Sequence, residues 1–188
     1  MMKIIIPLLF FSFFTGCLSQ IPPPEISGRV DTTGLVVVDA RINLIDPANE
    51  HAKATMTDAV LVPLTDLSGR IKGKKVSGYI LFSELPPGIY RLHEIKATWV
   101  RGQLISREYY SLDELKDEVT VAVSTGKPAY LGRVVIDDSR TTNEGTVKYS
   151  LERDPQHEVN ALYELAFRYE GSFWGERMNE RVKALTGR

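Results

Sequence analysis

Between residues 26 and 151 the apolar residues recur with a period of two, and that rhythm commits this part of the chain to sheets rather than helices. Val36, Val38, Ala40, Ile42 and Leu44 share one face of a strand, while Asp39, Arg41 and Asn43 point the other way. Val37 and Ile45 break the alternation. Further apolar runs occupy 59–64, 76–82, 89–100, 104–110, 119–123, 129–136 and 146–151, many of them bounded by Gly, Pro, Asp or Ser. Short strands with turn residues between them predict a β-sandwich or barrel. The run 89–100 changes phase. Tyr90 and Leu92 lie on one face, then Ile95, Ala97 and Trp99 on the other. One extra residue near His93-Glu94 restores the register, which predicts a β-bulge there.

The rhythm changes after Arg153. Asp154 suits an N-cap and Pro155 a first helical turn. Val159, Leu162, Tyr163, Ala166 and Tyr169 then follow helical spacing. His157 stands where a full capping box has Glu or Gln. Gly171 ends the helix, Phe173-Trp174-Gly175 is expected to make a turn, and Met178, Val182 and Leu185 mark a second short helix. Residues 152–188 therefore read as a C-terminal α-helical hairpin. Helices this short need tertiary contacts to persist in water. Leu162, Tyr163, Trp174 and Val182 are expected to dock on the strands; a partner-binding face is the alternative.

The N-terminus has a different character. Met1-Met2-Lys3 is positively charged, and the stretch 4–14 is apolar except for Pro7 and Ser12. At about 1.5 Å per residue it is too short to span a hydrocarbon core of about 30 Å, and it fits the apolar core of a secretory signal. The segment Phe14-Thr15-Gly16-Cys17 resembles the lipobox of bacterial lipoproteins, with Phe14 where Leu is usual. The resemblance implies a signal peptide over 1–16 and lipidation of Cys17. Residues 17–25 then carry the lipid and a tether containing Pro22-Pro23-Pro24, which extends about 3.1 Å per residue as polyproline II. Cys17 is the only cysteine, so the folded part has no thiol for a disulfide, a metal or a nucleophile. The expected partner is the membrane, through the lipid on Cys17. Leu18 replaces the Asp that favours inner-membrane retention in enterobacterial lipoproteins, which favours the periplasmic face of the outer membrane.

Leu85-Pro86-Pro87-Gly88-Ile89-Tyr90 reads as a type II turn into a strand, with Gly88 at positive φ. With Ile26-Ser27-Gly28-Arg29-Val30 upstream, it resembles the carboxypeptidase regulatory-like and transthyretin-like domains over residues 26 to 100. A second stretch runs from Val119-Thr120-Val121-Ala122-Val123 through Gly126-Lys127-Pro128-Ala129-Tyr130-Leu131-Gly132. It is similar to uncharacterised envelope lipoproteins and extends the expected domain to Leu151. These resemblances imply a mainly β fold, an Ig-like or prealbumin-like β-sandwich over 26–151. They supply no catalytic residue.

The remaining chemistry is sparse. A formal charge of −1 with interspersed signs gives no electrostatic case for nucleic acid. His51, His93 and His157 have no metal-ligand spacing. There is no G-x-S-x-G elbow and no phosphate-cradling glycine loop. Asp113-Glu114 and Asp137-Asp138 lack the ordered spacing of a calcium loop and read as solvated turns. No catalytic residue, metal site or cofactor is expected. Trp99, Tyr109, Tyr110, Phe173 and Trp174 are the candidate contacts for a partner or ligand, against a competing role in packing. The sequence thus predicts a membrane-anchored envelope lipoprotein, not an enzyme, that acts as a structural or protein-interaction module. A small-ligand or glycan-binding lipoprotein is the alternative.

Overall fold

The computed structural model describes residues 32–45, 52–140 and 145–187. The expected signal peptide, Cys17, the tether, the strand at 26–30 and His51 lie outside the described residues. The strands are β1 (Gly34–Leu44), β2 (Lys53–Pro63), β3 (Ile71–Lys72), β4 (Lys74–Val76), β5 (Tyr79–Leu85), β6 (Gly88–Arg101), β7 (Leu104–Ser111), β8 (Thr120–Val123), β9 (Pro128–Asp138) and β10 (Val147–Glu152). A 3-10 turn at Asp113–Leu115 and two helices, α1 (Pro155–Arg168) and α2 (Phe173–Thr186), complete the fold. One sheet has the order β10-β9-β1-β5-β4, with β1 parallel to β9. The other has the order β3-β2-β6-β7, and β8 pairs with β6 beyond the end of β7.

The protein is therefore mainly β, with two sheets and two C-terminal helices, and its layers follow from which strand faces are apolar. Val36 and Val38 of β1 join Ile80, Phe82, Val134 and residues of the second sheet in one buried cluster. Leu35 and Val37 point to the opposite side and pack with Leu81, Leu162, Leu165 and Trp174 in a second cluster. The Leu35-Val36-Val37-Val38 run is thus a strand covered on both faces, which demands apolar residues at every position. This explains Val37 as part of the design rather than an exception. Past Asp39 only one face stays covered and the alternation resumes.

Bulges set the phase in four strands. In β2, Met56 opposes Ala97 and Asp58 opposes Lys96, so Thr57 is the extra residue. In β6, Val60 opposes Glu94 while Leu61 opposes Leu92, so His93 is the extra residue. That places Tyr90, Leu92, Ile95, Ala97 and Trp99 all in the core, as the sequence predicts. In β9, Val37 opposes Tyr130 and Asp39 opposes Arg133, leaving Leu131 and Gly132 opposite Val38. Gly132 has φ 130°, and a Cβ there would lie 2.8 Å from Leu151 Cδ1 and 3.0 Å from the Glu152 carbonyl oxygen. In β5, Gly34 opposes Leu85 and Val36 opposes Phe82, and Glu84 takes φ 59°.

Several expectations need correcting. Gly88 is not in the left-handed region; it opens β6, paired with Val123. Glu84, four residues earlier, carries the positive φ, and the Tyr90 hydroxyl closes the turn by donating to the Pro86 carbonyl at 2.8 Å. The run 76–82 is broken by the two-residue turn Ser77-Gly78, which makes a β4–β5 hairpin. Phe173-Trp174-Gly175 is not a turn but the start of α2, because Ser172 caps that helix by accepting from the Gly175 amide.

The helices pack on the first sheet. Asp154 caps α1 by accepting from the Gln156 amide at 2.8 Å, with Pro155 in the first turn. Leu162 and Trp174 are buried as expected and Val182 packs at the cluster's margin. Tyr163 does not dock. It is 65% exposed because it follows Leu162 around the helix onto the solvent side.

Candidate interaction surface

The structure separates the five aromatic candidates into three environments. Trp99 and Tyr110 point into the core, because they lie on the inward rows of the paired strands β6 and β7. The Trp99 indole N–H donates to the Tyr110 hydroxyl oxygen at 2.7 Å. Arg140 closes the arrangement with Asp138: Nε donates to both carboxylate oxygens at 3.1 Å and Nη2 to Oδ2 at 2.7 Å. The same guanidinium lies 5.8 Å from the Trp99 ring centre and 5.4 Å from that of Tyr110, and Nη2 reaches Glu108 at 3.4 Å. Asp138, expected in a solvated turn, is instead the last residue of β9 and is fully buried, its carboxylate held by Arg140. Burial acts to raise its carboxyl, but the bonds from Arg140 and Tyr110 outweigh it and hold the group below the usual carboxylate range. Burial, then the bond to Asp138, pushes the Tyr110 hydroxyl up. This cluster ties the end of β9 to the β6–β7 hairpin and leaves neither ring for a ligand.

Phe173 and Trp174 open α2 and pack in the cluster between the helices and the first sheet. Their rings meet edge-on at 5.3 Å, and Arg177 lies over Phe173 at 5.0 Å. Trp174 is buried, and its indole N–H has no partner among the described residues. A second polar cluster holds α1 to the sheet. Arg133 Nε donates to Asp39 at 2.6 Å, and its Nη1 lies 2.7 Å from His157 Nε2. An arginine can only donate, so His157 accepts at Nε2. Glu152 lies 3.7 Å from Nδ1 of the same ring. Burial first, then Glu164 and Asp39, pushes the nearby Tyr79 hydroxyl up to about 12.

Tyr109 alone of the five faces solvent. Being adjacent to Tyr110 in a strand, it falls on the outer face of the second sheet, which no described helix covers. The Lys96 ammonium lies 5.3 Å from its ring centre. A groove of about 320 Å³ runs beside it, lined by Thr57, Asp58, Lys96, Thr98, Arg107 and Glu108. Toward the hairpin tip, Val100, Leu104 and Ile105 are exposed, Leu104 at 75% and Ile105 at 72%. These three were not singled out from the sequence. The usable signal was an apolar Leu104-Ile105 pair beside the Gly102-Gln103 turn.

β7 ends its sheet, so one side of its backbone pairs with no described strand. Arg101 and Leu104 flank a two-residue loop and form a hydrogen-bonded pair, as such hairpins do. Hydrogen bonding alternates along an antiparallel ladder, so Leu104, Ser106, Glu108 and Tyr110 bond to β6. Ile105, Arg107 and Tyr109 turn their N–H and C=O groups outward. Arg107 is exposed and makes no ion pair among the described residues.

Another groove, of about 410 Å³, lies between β8, β9 and the start of α1. Its charged side chains are engaged: Arg153 donates to the Glu118 carbonyl, Asp154 caps α1 and Glu158 accepts from Arg181. Among the described residues no three His, Cys, Asp or Glu side chains converge on a point where a metal would bind. No described helix is long and apolar enough to cross a membrane.

No family model matches the chain, and no curated protein matches it. Among solved structures it is similar to a Bacteroides fragilis protein named a "putative cell adhesion protein", with TM-score 0.33 and 5% identity, covering 65% of this chain and 46% of that one. It is also similar to a Bacteroides thetaiotaomicron leucine-rich repeat protein, with TM-score 0.31 and 13% identity, covering 75% of this chain and 17% of that one. At those TM-scores the likeness carries no argument about fold or function.

Proposed function

We propose that the chain is a membrane-anchored envelope lipoprotein whose Ig-like or prealbumin-like β-sandwich serves as a non-enzymatic protein-interaction module, held by the lipid on Cys17. The observation that carries this reading is the uneven covering of the two sheets. One is covered on both faces, by the other sheet and by the helices. The other ends in β7, an edge that pairs with no described strand on its outer side and is flanked by exposed Val100, Leu104, Ile105 and Tyr109. Soluble proteins usually blunt such an edge, and exposed apolar groups beside one mark a contact site. The ionisable clusters are engaged in holding elements together: Asp138–Arg140 joins β9 to the hairpin, and Asp39–Arg133–His157 joins α1 to its sheet. The lipobox resemblance supports the anchor and the envelope location; the periplasmic face of the outer membrane is the preferred site.

A photo-reactive residue placed at Ile105 in cells tests the reading, with Tyr163 as control because it is exposed on the helical side. The expected result is a discrete protein adduct from position 105 and none from position 163. Equal or absent adducts at both would oppose the reading. A second reading, glycan or small-ligand binding, rests on the Tyr109 ring beside the polar groove. It predicts that Tyr109→Ala abolishes retention on envelope glycan while leaving the protein adduct intact.

A further inference from the structure

We infer that β7 accepts an extended strand from a different polypeptide, one that sets an acidic side chain opposite Arg107 between two apolar ones; this rests on the interaction-module reading above. The backbone supplies the first part of the argument. Ile105, Arg107 and Tyr109 present outward N–H and C=O groups in an eight-residue edge strand, the pattern a docking strand completes. The side chains supply the second. In a continued sheet, residues opposite each other share a face, so the incoming strand meets the row Ile105, Arg107, Tyr109. That row is apolar, cationic, aromatic. Lys96 stands beside it on β6, against the Tyr109 ring. Arg107 has no acidic partner among the described residues, so the complement of this row is apolar, acidic, apolar.

The same row argues against a second copy of this chain. Antiparallel pairing of β7 with its own copy about a two-fold axis must place same-face residues opposite each other. The registers with most overlap centre on Arg107 or on Glu108. The first sets Arg107 against Arg107 of the second copy, and the second sets Glu108 against Glu108. Like charges directly opposite are destabilising. The edge is thus guarded against self-association while staying open to an acidic strand, one of the ways natural sheets manage an edge.

The probe is a blocked heptapeptide, Thr-Val-Thr-Glu-Thr-Val-Thr, titrated into the folded domain and followed by amide NMR. The expected result is a shift of the Ile105, Arg107 and Tyr109 amides that exceeds that of Leu104, Ser106 and Glu108. Arg107→Glu should weaken binding about fivefold, and a peptide with Lys in place of Glu should prefer that variant by a similar factor. Arg107 is exposed, so the variant keeps the fold, which the remaining spectrum checks. No shift along β7, or binding indifferent to both charge reversals, overturns the proposal. If the peptide fails while position 105 still gives a discrete adduct in cells, strand addition fails and the interaction reading stands. If both fail, both fall.

Discussion

Replacing Gly132 by alanine tests the β9 bulge, on which the phase of that strand depends. Gly132 sits at φ 130°, where an L side chain is strained at a cost of about 1–3 kcal/mol. The added Cβ would also meet the Glu152 carbonyl oxygen at 3.0 Å and Leu151 Cδ1 at 2.8 Å. Leu151 can rotate its methyl away, but the carbonyl belongs to β10 and moves only with the strand. The strain figure is therefore a lower bound. For a domain of this size each kcal/mol lowers the melting temperature by about 2–4 °C, so a fall of roughly 2–12 °C or more is expected. Gly88→Ala is the internal control. Gly88 has no positive φ, and its added Cβ would make only an ordinary contact of 3.6 Å with Tyr90. Its melting temperature should stay within about 2 °C of the parent, as for substitutions that create no strain. Thermal unfolding followed by circular dichroism reads both. If the two variants melt alike, the bulge does not dictate glycine at 132.

Asp138→Asn removes a buried carboxylate from Arg140 and should cost about 1.5–3 kcal/mol in denaturant unfolding, the worth of hydrogen bonds to a charged group. Because the folded state holds that carboxyl below its unfolded value of about 3.9, its contribution is present above that pH and is lost as pH falls through the folded value. The parent should therefore lose stability relative to the Asn variant as pH drops below about 4, and parallel profiles would refute the pairing. Truncation after Arg153 uncovers Leu35, Val37, Val76 and Leu81; it should lower the melting temperature and create a surface that binds an apolar dye, and an unchanged melt without dye binding would sink the docking of α1 and α2. Cys17→Ala should release the protein from the membrane fraction without changing its melt, and a variant that stays membrane-bound would refute the lipid anchor.

Much of the fold was legible in the sequence because sheet periodicity is local. The bulge at His93 followed from the phase of Tyr90 and Leu92 against Ile95 and Trp99, since all of them must reach one core. The cap at Asp154 was legible because a cap is a short-range hydrogen bond. Val37 resisted because its partners, Leu162 and Trp174, lie more than a hundred residues away. Gly88 misled because residue type names who tolerates positive φ, while the β5 bulge placed that conformation on Glu84. Ser172 could have placed Phe173 and Trp174 on α2, since a serine followed by Glu176 in the first turn is a helix-start signal. Among the aromatics, composition could not separate core from surface. Alternation required Tyr109 and Tyr110 to face opposite ways, and the register with Trp99 decided which was buried. The β7 edge was the least legible feature, because an unpaired edge is a property of topology and not of the strand's own residues.

Hydrogen exchange of the 104–111 segment tests the central claim most directly, measured in native envelope membranes and in the purified protein. If β7 is an edge that a partner strand completes, the outward amides of Ile105, Arg107 and Tyr109 gain hydrogen bonds in the envelope, and the segment should exchange more slowly there. Equal exchange in the two settings, with the rest of the domain equally protected, would contradict it.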